Sequence, residues 1–207
     1  MALRGVYLIT PNTRDTTRLL DQSEAALAAG LALLQYRSKS PDQDLRRYQA
    51  EALLQACRRH HVPLIINDDV PLALAIGAAG VHLGSKDGSL SEARHRLGSH
   101  AVLGASCYAS IENAHEAKAQ GASYVAFGTF GPSPTKPAAA RADPLLLTEA
   151  AQLGLPRVAI GGITPAQAPA LVAAGADLLA VISHVYESAD PAAAVRELRV
   201  AFPEFQG

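Results

Sequence analysis

Residues 157–165, RVAIGGITP, contain a complete passage from a strand to a helix. The first four residues form a short run dominated by apolar side chains, which is typical of a buried parallel strand. Two glycines follow, and Thr164 then stands before Pro165, which places an N-cap hydroxyl ahead of a proline at the first helical position. This stretch therefore predicts a strand that passes through a glycine turn into a helix.

The same passage recurs along the whole chain. Short runs rich in Val, Ile and Leu, without strict alternation, predict eight strands, at residues 5–9, 32–37, 63–67, 80–83, 101–106, 123–127, 157–160 and 178–182. Helical stretches separate them, so the strands must run parallel. We predict a single α/β domain over residues 1–207, a (β/α)8 TIM barrel. A doubly wound sheet is the alternative, but the first strand leads into ITPNTR and not into the glycine-rich turn typical of that fold.

Proline, glycine and acidic residues mark the predicted helix boundaries. Three predicted starts carry an N-cap residue followed by proline: Ser40-Pro41, Asp143-Pro144 and Asp190-Pro191. Ser40 and Gln43 also have the spacing of a capping box. Asp69 is predicted to cap the third helix. Glycines that end helices are predicted at Gly30, Gly77, Gly121 and Gly175.

The composition indicates an ordinary globular protein. Of 207 residues, 49% are hydrophobic, which is enough to bury one core, and a net charge of −1 disfavours a nucleic-acid or anionic membrane surface. No apolar run is long enough to span a membrane. Cys57 and Cys107 lack both metal-ligand spacing and the density of a disulfide scaffold, so we expect a reducing, cytoplasmic location. The sequence makes no prediction of oligomeric state.

Two strand ends predict a phosphate site. In barrels, the loops after the seventh and eighth strands commonly bind phosphate through backbone N–H groups, and glycine lets the backbone approach the oxygens closely. Gly161 and Gly162 follow the seventh predicted strand, and Ser183 follows the eighth. Glycines of this kind also serve tight turns, but Ser183 at the neighbouring strand end favours the phosphate.

Charged residues at other strand ends predict a second anion site. Arg37 and Lys39 follow the second strand, and Lys136 lies in a Gly- and Pro-rich loop after the sixth. Asp68 closes the third strand and Asp87 follows the fourth. Because Mg²⁺ takes one or two protein carboxylates and completes its octahedron with phosphate oxygens and water, these residues predict a magnesium ion that bridges a diphosphate. For Asp68, a surface salt bridge is the alternative.

Taken together, these motifs resemble the thiamine-phosphate synthase family over nearly the whole chain. The matching segments are YLIT, Gln-x-Arg-x-Lys at 35–39, INDDV, GVHLG followed by Asp87, Gly-x-Ser at 104–106, PSPTKP, VAIGGIT and AVIS. The resemblance implies a transferase of thiamine biosynthesis. Its substrates would be 4-amino-2-methyl-5-(hydroxymethyl)pyrimidine diphosphate and 4-methyl-5-(2-phosphoethyl)thiazole or its carboxylate form. Its products would be thiamine phosphate and pyrophosphate.

The resemblance also implies a role for each matching residue. The pyrimidine diphosphate would be held by Gln35, Arg37, Lys39, Asn67, Ser106 and Lys136, of which Arg37, Lys39, Ser106 and Lys136 would be catalytic. Asp68 and Asp87 would bind Mg²⁺. The thiazole phosphate would be held by Ser133, Thr135, Gly162, Ile182 and Ser183. Loss of pyrophosphate, assisted by Mg²⁺, would leave a pyrimidine methylene cation that the thiazole nitrogen attacks.

Two residues depart from the commonest family pattern: Ser38 stands where many relatives have Glu, and Tyr108 where many have His. His82 could contact the pyrimidine, act as an acid or pack as a hydrogen-bonded barrel histidine, and it is not assigned to the site. Three other functions stay open: a thiazole tautomerase, a sugar-phosphate isomerase and a non-catalytic sensor of thiamine phosphates. A tautomerase would not need the two carboxylates, and an isomerase would leave the cationic cluster unused.

Overall fold

The computed structural model describes residues 3–131 and 141–203. In these residues eight parallel strands close into a barrel, in which each strand pairs with the next and the eighth pairs with the first. The strands are β1 Gly5–Ile9, β2 Leu33–Tyr36, β3 Leu64–Asn67, β4 Gly80–Leu83, β5 Val102–Tyr108, β6 Tyr124–Phe127, β7 Arg157–Ile160 and β8 Leu178–Val181. The predicted (β/α)8 barrel is confirmed. The doubly wound alternative is wrong because the sheet has no open edge.

Strand β5 differs most from its predicted bounds. It continues past the predicted end at Ser106 to Tyr108, and its pairing with β6 shifts between these two residues. The shift is a β-bulge, which re-aims the side chains that follow it. Ser106 and Tyr108 both face the barrel mouth, whereas Cys107 is buried among the residues that pack against the helices.

Helices connect consecutive strands on the outside of the barrel. They are α1 Thr16–Ala28, α2 Gln43–Arg59, α3 Val70–Ile76, α4 Leu90–Leu97, α5 Ile111–Ala119, α6 Leu145–Glu149, α7 Ala168–Ala173, α8 Ser183–Tyr186 and α9 Pro191–Arg199. A 3₁₀ turn at Ala150–Leu153 continues α6. Among the described residues, no helix combines the length and the apolar character needed to cross a membrane.

Acidic caps start several helices. Asp69 caps α3 and Asp190 caps α9, each by accepting the N–H of the third residue along, as predicted. The capping box at Ser40 is wrong. Helix α2 begins at Gln43, so Asp42 directly before it accepts the N–H three residues on, at 3.0 Å.

Two helices begin later in the chain than the sequence predicted. Thr164 opens a turn, and α7 begins only at Ala168. The Gln167 side chain accepts hydrogen bonds from the N–H and the hydroxyl of Thr164, at 3.3 and 3.2 Å. Asp143 accepts the N–H of Leu145, the first residue of α6, at 2.9 Å. The four predicted helix-ending glycines all have positive φ, as expected for left-handed helix ends.

Apolar side chains form an outer layer between strands and helices and an inner layer inside the barrel. Leu33 and Leu178, at the first positions of β2 and β8, fill the barrel near the amino ends of its strands. Ala126 and Ala180 occupy the third positions of β6 and β8 and border an open cavity. Small side chains at this level leave the barrel hollow toward the carboxyl ends of its strands.

Arg94 on α4 ties together the loops at the amino end of the barrel. Its guanidinium donates to the carbonyl oxygens of Gly98 and Ala101, both at 2.8 Å, and of Gly121 at 2.8 and 3.0 Å. It also donates to the Ser123 hydroxyl at 2.9 Å. These loops lead directly into β5 and β6, so one side chain holds the entry of two strands.

Replacing Arg94 by alanine is expected to lower the free energy of unfolding by about 2–4 kcal/mol, because several charge-assisted hydrogen bonds are lost at a partly buried site. Urea unfolding measures this loss. Arg96→Ala, an exposed position on the same helix, is the matched control and should change stability by no more than about 0.5 kcal/mol. Equal losses of unfolding free energy in the two variants would contradict a stabilising role for the hydrogen bonds of Arg94.

Candidate active site

One cavity of about 780 Å³ opens at the carboxyl ends of the strands. This is the end of a TIM barrel at which active sites lie. Most of the predicted site residues line it: Gln35, Arg37, Asn67, Asp68, Asp87, Ser106, Gly162, Ile182 and Ser183. The predicted residues, which come from six strands and their following loops, are therefore brought to one place by closure of the barrel.

Lys39 is not among the residues that line the cavity. Its side chain is exposed, and its backbone N–H donates to Asn12 Oδ1 at 2.7 Å. Ser38 also lies outside the lining, and its hydroxyl accepts the N–H of Ser40 at 3.2 Å. Of the cluster at the end of β2, only Arg37 therefore reaches the cavity among the described residues. The role of Lys39 stays a prediction.

Ser133, Thr135 and Lys136 lie outside the described residues, and their roles also stay predictions. The chain on both sides of them is described. Before them, the N–H of Gly131 donates to the Gly161 carbonyl oxygen at 2.7 Å. After them, the N–H of Ala142 donates to the Thr129 carbonyl oxygen at 2.8 Å. Residues 129 and 161 both line the cavity, so the described residues on both sides of this segment lie at the cavity.

The two glycines after β7 serve different needs. Gly161 has φ of 99°, and a Cβ there would lie 2.6 Å from Thr129 Cγ2 and 3.0 Å from Thr129 Cα. Close approach of two backbones therefore demands glycine at 161, which is the tight-turn explanation. Gly162 has φ of 62° and borders the cavity beside Ser183, the first residue of α8. The pair therefore combines a glycine that the turn requires with one whose backbone borders the cavity.

Two carboxylates face each other across the ends of β3 and β4. Asn67 Nδ2 donates to Asp68 Oδ2 at 2.5 Å, and the N–H of Gly84 donates to Asp87 Oδ2 at 3.0 Å. Partial burial, and then the charge of Asp87, raise the pKa of Asp68 to about 6, although Asn67 and Arg37 act to lower it. Two carboxylates that repel each other in this way favour a bound cation.

The acidic pair fits magnesium better than zinc. Within residues 3–131 and 141–203, no group of three or more His, Cys, Asp or Glu side chains is placed to hold a metal ion. Zinc sites generally need three or four protein ligands. Mg²⁺ commonly uses one or two carboxylates and takes its other ligands from phosphate and water. Asp68 and Asp87 would hold such an ion next to Arg37.

A chain of hydrogen bonds crosses the barrel at the base of the cavity. Gln35 Nε2 donates to Tyr7 Oη at 2.5 Å, and Tyr7 Oη lies 2.7 Å from Tyr124 Oη. His82 Nδ1 lies 2.9 Å from Tyr124 Oη, and His82 Nε2 lies 2.8 Å from Ser106 Oγ. The chain joins two predicted ligand residues through three buried side chains.

The buried members of this chain are neutral. Burial lowers the pKa of His82 to about 4, with Asp87 acting in the opposite direction, so the imidazole is uncharged at neutral pH. Burial also raises the pKa of Tyr7 and of Tyr124 above the ordinary tyrosine value. His82 is thus a hydrogen-bonded barrel histidine, one of the three possibilities. Tyr7 and Tyr124 are not among the site residues predicted from the sequence. The available signal was a tyrosine within an otherwise apolar barrel strand, because its hydroxyl needs a buried partner.

Tyr108 stands at the cavity rim beyond the bulge in β5. It has φ of 55°, its side chain is 43% exposed, and its hydroxyl lies 3.3 Å from Ser85 Oγ in the loop that carries Asp87. The residue that departs from the family pattern therefore borders the acidic side of the cavity.

Comparisons with known proteins show the family to which the chain belongs. A family model described as thiamine monophosphate synthase matches residues 6–185. A thiamine-phosphate synthase of Xanthomonas campestris pv. campestris is 58% identical over 201 residues, which cover 97% of each chain. That of Thiobacillus denitrificans is 55% identical over 199 residues, 96% of this chain and 94% of the relative.

A solved structure extends the likeness to three dimensions. Thiamine phosphate pyrophosphorylase from Pyrococcus furiosus superposes with a TM-score of 0.87 at 30% identity, covering 100% of this chain and 98% of the other. Family model, close relatives and fold all span nearly the full length. The chain therefore belongs to the thiamine monophosphate synthase family and is a transferase of thiamine biosynthesis.

Proposed function

We propose that the cavity joins the methylene carbon of 4-amino-2-methyl-5-(hydroxymethyl)pyrimidine diphosphate to the ring nitrogen of 4-methyl-5-(2-phosphoethyl)thiazole or its carboxylate form. The products are thiamine phosphate and pyrophosphate, and the carboxylate form of the thiazole would also release carbon dioxide. The observation that carries this assignment is one cavity that has groups suited to binding anions at two separate places. Arg37 and the acidic pair lie at the ends of β2 to β4, whereas Gly162 and Ser183 lie at the ends of β7 and β8. In a closed eight-stranded barrel, β3 and β7 are on opposite sides.

The diphosphate lies on the β2 to β5 side in this proposal. Arg37 and Asn67 border the acidic pair and can donate hydrogen bonds to phosphate oxygens, and Ser106 is the next donor around the barrel. Lys39 and Lys136 are predicted to add positive charge from the surrounding loops. Fixed positive charge aimed at the leaving group stabilises it most in the transition state, where its negative charge grows.

Asp68 and Asp87 are proposed to hold Mg²⁺ together with the diphosphate. When bound, the ion would neutralise charge on the diphosphate oxygens and so make pyrophosphate a better leaving group. The two side chains need only keep their carboxylates ionised and close together. The positive charge of Arg37 acts to lower the pKa of Asp68, so Arg37 helps to keep this carboxylate ionised for the metal ion.

The thiazole phosphate is proposed to lie on the β7 and β8 side. Gly162 exposes its backbone, Ser183 supplies a hydroxyl, and Ile182 contributes an apolar contact beside them. Ser133 and Thr135 are predicted to complete this phosphate site. A phosphate anchored here directs the thiazole ring toward the pyrimidine, and such positioning can account for a large part of the rate enhancement.

Bond changes in this reaction need no general base. The carbon–oxygen bond to the diphosphate breaks with both electrons on the leaving oxygen, and the electron-rich aminopyrimidine stabilises the methylene cation. The lone pair of the thiazole nitrogen then forms the carbon–nitrogen bond. The floor of the cavity supports flat rings, because Tyr7, Ile9 and Val158 present aromatic or apolar surface there.

The relatives described above carry the name of the synthase, and nothing in these comparisons supports a thiazole tautomerase or a non-catalytic sensor. We further propose that the protein works in the cytoplasm. Cys57 and Cys107 are both free and buried, a state that fits a reducing compartment.

Mixing the purified protein with both substrates and Mg²⁺ is expected to release thiamine phosphate and pyrophosphate in equal amounts. Omission of either substrate should abolish both products. Isomerisation of the thiazole without pyrophosphate release would instead indicate a tautomerase. Tight binding of thiamine phosphate with no turnover would indicate a sensor, and either result would overturn the proposed function.

A further inference from the structure

We propose that the buried hydrogen-bond chain has a single direction, so that Tyr124 and His82 act as positioning residues. In this direction Gln35 presents a carbonyl acceptor to the cavity and Ser106 presents a hydroxyl donor. The proposal rests on the proposed function only for the identity of the ligand groups that meet these two ends.

The middle of the chain has almost no solvent-exposed surface. Tyr7, Tyr124 and His82 are only 1%, 0% and 8% exposed. The rings are held by packing as well, since Tyr7 meets Tyr124 edge to face at 5.8 Å and His82 stacks on Tyr124 at 5.6 Å. The hydroxyl hydrogens of Tyr7 and Tyr124 must therefore find acceptors within the chain, because an unsatisfied buried donor is costly.

Gly104 makes room for this chain. A Cβ on Gly104 would overlap the Tyr124 hydroxyl and lie 2.6 Å from His82 Nδ1. The glycine of the Gly-x-Ser motif is therefore needed for packing. Because Gly104 has no side chain, Tyr124 and His82 can contact each other next to β5, two residues before Ser106. One motif thus supplies both the space for the hydrogen-bond chain, at Gly104, and the serine at the end of that chain, Ser106.

Counting hydrogens allows two unbranched arrangements. In the first, the Gln35 amide donates to Tyr7, Tyr7 donates to Tyr124, and Tyr124 donates to His82 Nδ1. His82 then carries its hydrogen on Nε2 and donates to Ser106 Oγ. The serine keeps its own hydrogen for the cavity, and Gln35 keeps its carbonyl oxygen for the cavity.

A half-turn of the Gln35 amide reverses every bond. Ser106 would then donate to His82 Nε2 and present only an oxygen to the cavity, while Gln35 would present its NH₂ group. A doubly protonated His82 would donate from both ring nitrogens: Tyr124 would accept from Nδ1 and donate onward to Tyr7, while Nε2 would still donate to Ser106. The two arrangements above are therefore those of the neutral imidazole. The direction thus depends on one amide and on one imidazole tautomer.

The proposed ligand favours the first arrangement at both ends. A diphosphate is an acceptor, so the Ser106 end must donate to it. The amino group of an aminopyrimidine is a donor, so an acceptor suits the Gln35 end. In the reversed chain an oxygen lone pair would face an anion, which is repulsive. His82 therefore does not act as a base toward Ser106, because its Nε2 already carries hydrogen.

The tautomer is measurable without any substrate. In ¹⁵N-histidine-labelled protein, NMR is expected to show His82 with hydrogen on Nε2 and none on Nδ1. The signals can be assigned among the seven histidines by their loss in His82→Asn. Hydrogen on Nδ1, or an equal mixture of tautomers in the wild type, would overturn the proposal. This result is independent of turnover, so it fails separately from the proposed function.

Tyr124→Phe interrupts the chain at its centre and keeps the stacked ring. We expect kcat to fall roughly tenfold, with the KM of the thiazole phosphate within about twofold of wild type. We also expect the His82 tautomers to become mixed, because Nδ1 loses its donor. Wild-type kcat with an unchanged tautomer would contradict a positioning role.

Tyr36→Phe is the matched control. Its hydroxyl is also buried and donates to Gln49 Oε1 at 2.8 Å, but it faces the helices and not the cavity. Loss of this hydroxyl should reduce stability and leave kcat and the His82 tautomer unchanged. Equal falls in kcat for the two variants would show that Tyr124 acts only through stability.

Discussion

Replacing Asp68 and Asp87 together by asparagine is expected to lower kcat/KM by roughly 10³-fold or more, in line with the losses seen when charge-stabilising groups are removed from a preorganised site. The reason is loss of the cation that the pair is proposed to hold. Each single variant should lose less, since Mg²⁺ can bind through one carboxylate and the diphosphate. Wild-type activity should likewise disappear in excess chelator and return when Mg²⁺ is added.

The fold should survive this double change. Asp68 has a left-handed φ of 61°, which asparagine tolerates well. An amide oxygen at position 87 can still accept the Gly84 N–H that Asp87 accepts now. Burial and the charge of Asp87 both raise the pKa of Asp68, and the double change removes the charge repulsion, so the Tm of the metal-free protein should not fall.

Kinetics, Tm and metal titration together separate the two effects. Asp21→Asn, an exposed carboxylate on α1 away from the cavity, is the control and should keep wild-type kinetics. Full turnover of the wild type in excess chelator would contradict the assignment of Asp68 and Asp87 as metal ligands. So would a double variant whose kcat/KM matches that of Asp21→Asn.

The barrel was predictable because its signals are local and repeated. Apolar runs of four to six residues, each followed by a helix, predict parallel strands, and eight such strands close into a barrel more readily than they stay open. Helix starts were less predictable. Asp42 and Ser40 both suit an N-cap by residue type, and Asp42 is the cap because α2 begins directly after it, at Gln43.

The cavity residues were predictable where a strand end carries a charged or flexible residue, as at Arg37, Asp68 and Gly162. Lys39 shows the limit of this logic. Strand β2 ends at Tyr36, three residues before Lys39, so strand alternation no longer decides where the Lys39 side chain points. The buried chain could not be predicted, because Tyr7 and Tyr124 are 117 residues apart and only barrel closure brings their hydroxyls together.

Gly162→Asp is expected to weaken binding of the thiazole phosphate by roughly 10²–10³-fold, while binding of the pyrimidine diphosphate stays within about threefold of wild type. A carboxylate about 4 Å from a phosphate charge costs about 4 kcal/mol at an effective dielectric constant of about 20. Folding should tolerate the change, since φ of 62° at Gly162 lies in the left-handed region that Asp and Asn enter most readily. The same change at Gly161 would not be informative, because a Cβ there meets Thr129.

Gly162→Asn is the matched control, because it adds nearly the same volume without the charge. If the backbone at 162 faces the thiazole phosphate, asparagine should weaken that ligand by about tenfold through crowding alone, and aspartate should weaken it far more. Calorimetry with each substrate, on variants whose Tm has been checked, measures both effects. High salt should narrow the gap between the two variants, since screening weakens repulsion between charges but not steric overlap. Equal loss of both substrates in Gly162→Asp, or loss of the diphosphate alone, would mean that the two anion sites are assigned to the wrong sides of the barrel.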